Sequence, residues 1–166
     1  MNNGRRDIIM NQNSNHCIPL NDYGPDPFVT NIDKMTRQNT NYRTALWTGQ
    51  NLQLTLMSIP AGGQIGLEIH PDTDQFLRIE SGKGTVMMGA DKNRLNYQRP
   101  VFGGYAVFVP AGTWHNIVNT GACPLKIYTV YAPPHHPHGT VQATKDADDV
   151  KERRSNFGGR MKRHEH

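Results

Sequence analysis

Turn-forming residues cut this chain into short pieces. Eleven prolines and sixteen glycines are spread over 166 residues, and no stretch between them holds a helical period long enough to build a bundle. What survives is alternation. Leu52, Leu54 and Leu56 alternate with Gln53, Thr55 and Met57, the period of a half-buried strand. Further strands are read at residues 75–80, 85–88, 105–109, 113–118 and 125–131, with 66–70 extended. Between them lie Pro60-Ala61-Gly62-Gly63, Ser81-Gly82-Lys83-Gly84, Pro110-Ala111-Gly112 and Thr120-Gly121-Ala122. The 85–88 strand is expected to pair with 75–80, and 90–99 reads as a polar loop. About seven short antiparallel strands at this spacing predict an all-β sandwich or barrel.

The flanks differ from this middle. Residues 1–41 are rich in Asn, Asp and Pro and predict an irregular arm, with a helical turn or two at 32–38, that packs on the barrel or on a second subunit. Residues 42–145 form the barrel, and 146–166 a short C-terminal helix and tail, with Asp146 as N-cap and Asp149 in the first turn. Residues 151–166 carry six basic residues against two acidic ones, which accounts for the whole formal charge of +4. The rest is neutral, so the barrel has no electrostatic case for binding nucleic acid. The tail reads as a solvated end whose partner the sequence leaves open. No apolar run approaches a membrane span and none follows Arg5 and Arg6 as a secretory signal would. Cys17 and Cys123 make neither a disulfide framework nor a metal-ligand spacing. A cytoplasmic location is expected.

The chemistry concentrates in four residues. Glu68 and His70 are two apart in an extended segment, so their side chains leave one face. Gln75 opens the next strand after Pro71-Asp72-Thr73-Asp74, and His115 stands in a later one. A closed barrel would bring them together. Two imidazoles, a carboxylate and an amide oxygen suit a borderline-to-hard divalent cation.

The spacing of these residues resembles the cupin superfamily. Gly62, five residues, Glu68-Ile69-His70, four residues, Gln75, six residues and Gly82 look like the first cupin motif. Gly104, five residues, Pro110-Ala111-Gly112, two residues, His115, three residues and Asn119 look like the second. The resemblance implies a double-stranded β-helix (jelly-roll) barrel holding one divalent ion on Glu68, His70, Gln75 and His115. Tyr131-Ala132-Pro133-Pro134, Gly139-Thr140-Val141 and Thr144-Lys145 resemble small cupins of the mannose-6-phosphate-isomerase-like group, a likeness of ancestry more than of activity. Two positions depart from the family: Glu68 replaces its first metal histidine and Gln75 its metal glutamate. The formal charge of the ligand set is thereby unchanged.

Manganese or iron is expected ahead of zinc, because two oxygen ligands with room for water suit a six-coordinate ion. A small-molecule metalloenzyme is one reading, of oxygenase or isomerase type, with Glu68 as the candidate catalytic residue. Against isomerisation, Gln75 occupies the place of the family's base and cannot take a proton. The alternative is a non-catalytic binding or structural barrel whose tail mediates assembly. A homodimer is expected by analogy with small cupins. His135-His136-Pro137-His138 reads as a surface exit loop. Phe76, Phe108, Trp114 and Tyr128 read as packing, and Lys92, Arg94 and Arg99 as a solvated loop.

Overall fold

A computed structural model describes residues 17–145; the expected C-terminal helix and basic tail lie outside the described residues. Among the described residues one helix, α1 (Ile32–Gln38), precedes nine strands: β1 (Arg43–Thr48), β2 (Gln53–Ile59), β3 (Asp74–Ser81), β4 (Lys83–Gly89), β5 (Tyr97–Phe102), β6 (Ala106–Val109), β7 (Trp114–Asn119), β8 (Leu125–Ala132) and β9 (Val141–Gln142). They form a six-stranded sheet, β6-β3-β8-β2-β1-β9, and a three-stranded sheet, β5-β4-β7, all pairs antiparallel. Residues 64–68 extend the smaller sheet through bridges from Gln64 to Val118 and from Glu68 to His115. Among the described residues no helix is long and apolar enough to cross a membrane.

The all-β expectation holds, with local corrections. β3 and β4 do not pair: β3 lies between β6 and β8, and β4 between β5 and β7. The turn between them carries the chain from one sheet to the other. Gly82 permits it at φ +90, and a Cβ on Gly84 would stand 2.6 Å from the Val118 carbonyl oxygen. Local alternation shows two strands but not which sheet each joins. The expected polar loop at 90–99 ends early, because Tyr97 already opens β5. β5 is an edge strand, which is where Pro100 is tolerated.

The chain builds two apolar clusters. One fills the space between the sheets around Met57, Ile59, Leu77, Ile79, Ile117 and Ile127. The other lies outside the larger sheet, where Met35, Leu46 and Leu56 are buried with Ile18, Leu20, Tyr23, Phe28 and Ile32 packed on them. The described part of the arm therefore packs on the barrel. Asn31 caps α1 by accepting from Lys34 N at 3.0 Å, and Trp47 Nε1 donates to Asp26 O at 2.8 Å. Burying each of the larger side chains contributes about 1.5–3 kcal/mol.

This arm decides the polarity of β2. Leu54 and Leu56 face outward into the arm cluster, while Gln53, Thr55 and Met57 face the interior. Phe76, Phe108 and Tyr128 also lie outward. Phe76 packs edge-on to Phe108 at 5.2 Å, and Phe108 is 69% exposed rather than core. Lys92, Arg94 and Arg99 are exposed, as expected.

Candidate metal centre

The centre is assembled by main-chain pairing. Residues 64–68 run antiparallel to β7, with Ile65 N donating to Ile117 O at 3.0 Å and Gly66 N to Asn116 Oδ1 at 2.9 Å. That register sets Glu68 directly opposite His115, each donating its N–H to the other's carbonyl at 3.0 and 2.9 Å. Directly paired residues point to one face, and so do Glu68 and His70 two positions apart. Gly112 N holds the His70 carbonyl at 2.9 Å, tying the segment to the turn before β7.

Three side chains converge as a result. Donor atoms of Glu68, His70 and His115 all lie within 4.8 Å of one another. Glu68 Oε1 is 3.5 Å from His70 Nε2 and 3.3 Å from His115 Nε2, and the rings are 5.3 Å apart. None of these three atoms has a hydrogen-bond partner, although all are inside the protein. His115 Nδ1 lies 3.0 Å from Thr113 O. A carbonyl can only accept, so that nitrogen carries a proton, and Nε2 is the ring atom that faces the centre, where it presents a lone pair once deprotonated. A carboxylate and two imidazole nitrogens facing one another across these distances fit a shared divalent cation, which would displace any proton held between them.

Without a cation these groups hold one another. Burial alone would raise the Glu68 carboxyl. The contacts with His115 and His70, and the charge of Arg43, outweigh it and hold the group well below the usual carboxylate range. Glu68 is thus an anion throughout ordinary pH.

Gln75 reaches the interior from the opposite sheet. It is buried, its Nε2 donates to Thr129 Oγ1 at 3.2 Å, and its Oε1 has no partner. An amide oriented with its nitrogen on a hydroxyl leaves its oxygen for another electrophile.

The exit loop needs a correction. His138 lies at the surface, 2.9 Å from Gly24 O, as expected of a surface loop. His135 is exposed as well, so the correction falls on His136. The His135 ring stands 4.1 Å from that of His70, and His136 packs on Tyr131 at 5.1 Å with its Nε2 buried. Burial pushes the His136 imidazole down to about 3, so it is neutral. The cause is Gln53, which is fully buried. Its Nε2 donates to His136 O and Thr48 Oγ1, and its Oε1 accepts from His135 N and His136 N. The amide's hydrogen-bonding capacity is spent on holding that turn over the barrel mouth.

Sequence reasoning missed Arg43, Gln53, Tyr131 and His136. The legible signal was a polar residue in an otherwise apolar strand: Arg43 precedes Thr44-Ala45-Leu46-Trp47 and is 1% exposed.

Residues 55–131 match the cupin domain family. The protein YrkC of Bacillus subtilis (strain 168), itself uncharacterised, is 62% identical over 131 residues, 79% of this chain and 70% of its own length. The uncharacterised protein L612 of Acanthamoeba polyphaga mimivirus is 37% identical over 71% of this chain and 72% of its own. The crystal structure of BH2720 from Bacillus halodurans superposes with a TM-score of 0.78 at 57% identity, covering 78% of this chain and 98% of that one. With the paired motifs, the two facing sheets and the converging triad, these likenesses place the chain in the cupin superfamily.

Proposed function

We propose that this cupin is a metal-dependent enzyme acting on a small molecule, with one divalent ion held by Glu68, His70 and His115 and by the Gln75 amide oxygen as a neutral fourth ligand. The observation that carries the reading is the convergence of Glu68 Oε1, His70 Nε2 and His115 Nε2, buried within 4.8 Å of one another with no hydrogen bond to any other group. Two histidines, a carboxylate and an amide oxygen favour manganese or iron over a closed tetrahedral zinc site. Such an ion polarises a bound oxygen and lowers the pKa of a bound hydroxyl.

The chain's own residues favour oxygenase-type chemistry over sugar isomerisation. Isomerisation needs a base free to carry a proton between carbons. Among the described residues no second carboxylate joins the triad, and Gln75 cannot take up a proton. Glu68 is engaged between two imidazoles.

Metal analysis of untagged protein purified without added metal tests the proposal. One manganese or iron per chain is expected, lost when His70 and His115 are both changed to Ala while the β-rich circular dichroism persists. Stoichiometric metal in that double variant overturns the ligand assignment.

A further inference from the structure

The donor atoms of the candidate centre are shut in. Glu68 Oε1, both ring nitrogens of His70 and His115 Nε2 are all buried. Neither an ion nor a ligand reaches them unless part of the wall moves. That wall has a fixed part and a loose part. Among the described residues the His70 ring meets the rings of His115, Tyr131 and His135. His115 and Tyr131 are buried and stand in paired strands, β7 and β8. His135 is exposed and stands in the connection between β8 and β9. It is the cover that can leave without breaking a sheet.

Residues 133–139 read Pro-Pro-His-His-Pro-His-Gly, with no large aliphatic side chain to bury. Polar bonds hold the loop at two points. On the inside, Gln53 accepts from His135 N and His136 N and donates to His136 O. On the outside, Asp22, whose side chain is 1% exposed, accepts from Gly139 N at 2.9 Å and lies 3.5 Å from His138 Nε2. Thr48 joins the two points: its hydroxyl donates to Asp22 Oδ2 at 2.6 Å and accepts from Gln53 Nε2 at 2.9 Å. A segment held by a few polar bonds rather than by apolar burial opens locally while the core stays folded. Its prolines restrict the backbone, and Thr140 Oγ1 donates to Pro137 O at 2.7 Å, so the loop moves as one piece.

We propose that residues 133–139 are a lid over the centre, latched on the inside by Gln53 and on the outside by Asp22, and that its opening admits the ion and the ligand. Lids of this kind close a reaction off from water and control entry and release. The role rests on the metal reading above for what enters, whereas the movement belongs to the chain itself and is read without metal.

Diethyl pyrocarbonate acylates an imidazole nitrogen that solvent reaches. In the full chain stripped with EDTA, its rate of addition to His70, located by peptide mass spectrometry, reads how often the lid opens. One ordinary hydrogen bond is worth about fivefold in that opening equilibrium. Asp22→Asn keeps the side chain's shape and removes its charge, and should raise labelling of His70 about fivefold. Gln53→Leu removes several bonds and should raise it about thirtyfold. Ile59→Ala is the control. Ile59 is buried at the other end of β2 from Gln53, and its loss costs stability of a similar order without touching either latch. His70 should label there at the wild-type rate. Manganese chloride added to the stripped chain should be taken up faster by both latch variants, to an unchanged stoichiometry, as followed by loss of the free ion's paramagnetic resonance signal. Unchanged labelling in both latch variants, or an equal rise in Ile59→Ala, overturns the lid and leaves the metal reading standing if manganese binds. Faster labelling in the latch variants of a chain that takes up no manganese keeps the lid and removes the metal reading. Should Gln53→Leu fail to fold, Asp22→Asn decides alone.

Discussion

Replacing Gln53 with Leu keeps most of the side-chain volume and deletes every hydrogen bond the amide makes. The bonds run to Thr48 Oγ1 at 2.9 Å, His136 O at 2.8 Å, His136 N at 2.8 Å and His135 N at 3.2 Å. A typical bond contributes about 1 kcal/mol net, which puts the ceiling near 4 kcal/mol. Two corrections lower it. Thr48 keeps its 2.6 Å bond to Asp22, and the long His135 bond is the weakest, on a residue that water reaches. The expected loss is about 2–3 kcal/mol, or on the order of 10 °C in Tm. Urea unfolding followed by tryptophan fluorescence measures it, provided the wild type and the variant both unfold in two states. The loop should also become the earliest site of proteolysis. Because the proposed metal ligands sit on other segments, stoichiometric metal uptake should survive. A loss below about 1 kcal/mol would refute the idea that this one side chain holds His135 and His136 over the barrel mouth.

Four further outcomes are expected. Gln75→Glu should tighten the metal without creating proton exchange between mannose 6-phosphate and fructose 6-phosphate, measured as deuterium incorporation at matched metal content; exchange by the wild type would restore the isomerase reading. Leu56→Ala should cost about 2–5 kcal/mol by opening a cavity under the arm, read by denaturant titration, whereas a loss under 1 kcal/mol would mean the arm adds little. Burial works to raise the Asp22 carboxyl, but bonds from Thr48, Gly139 and Gly24 and the nearby His138 lower it below 3.8; its stabilisation is therefore present above that pH and lost as pH falls below it, so the penalty of Asp22→Asn at pH 7 should shrink in acid melts. The arm covers only part of the larger sheet's outer face, and the apolar surface continues from Tyr128 to Phe76 and the exposed Phe108. We propose that a second copy covers it: light scattering should give a dimer that Phe108→Glu dissociates, and a wild-type monomer at micromolar concentration ends that proposal.

Much of the candidate metal centre was legible in the chain. Glu68 and His70 share a face because extended side chains repeat every two residues, whatever surrounds them. The fixed intervals from Gly62 to Gly82 and from Gly104 to Asn119 hold because tight turns with positive φ recur at Gly62, Gly82, Gly104 and Gly112. These are local constraints, and local constraints can be read from order alone. Three matters needed the tertiary structure. Alternation in β2 defines two faces but carries no label for the inside. The arm, by burying Leu56, turned the polar Gln53 and Thr55 inward. The sheet each strand joins depended on partners far along the chain, so β3 and β4, adjacent in sequence, lie apart. His135 and His136 came to the barrel mouth through an amide more than eighty residues earlier, a contact with no local signature. The backbone's period is set by neighbours, whereas inside and outside are set by whatever else in the fold needs burying.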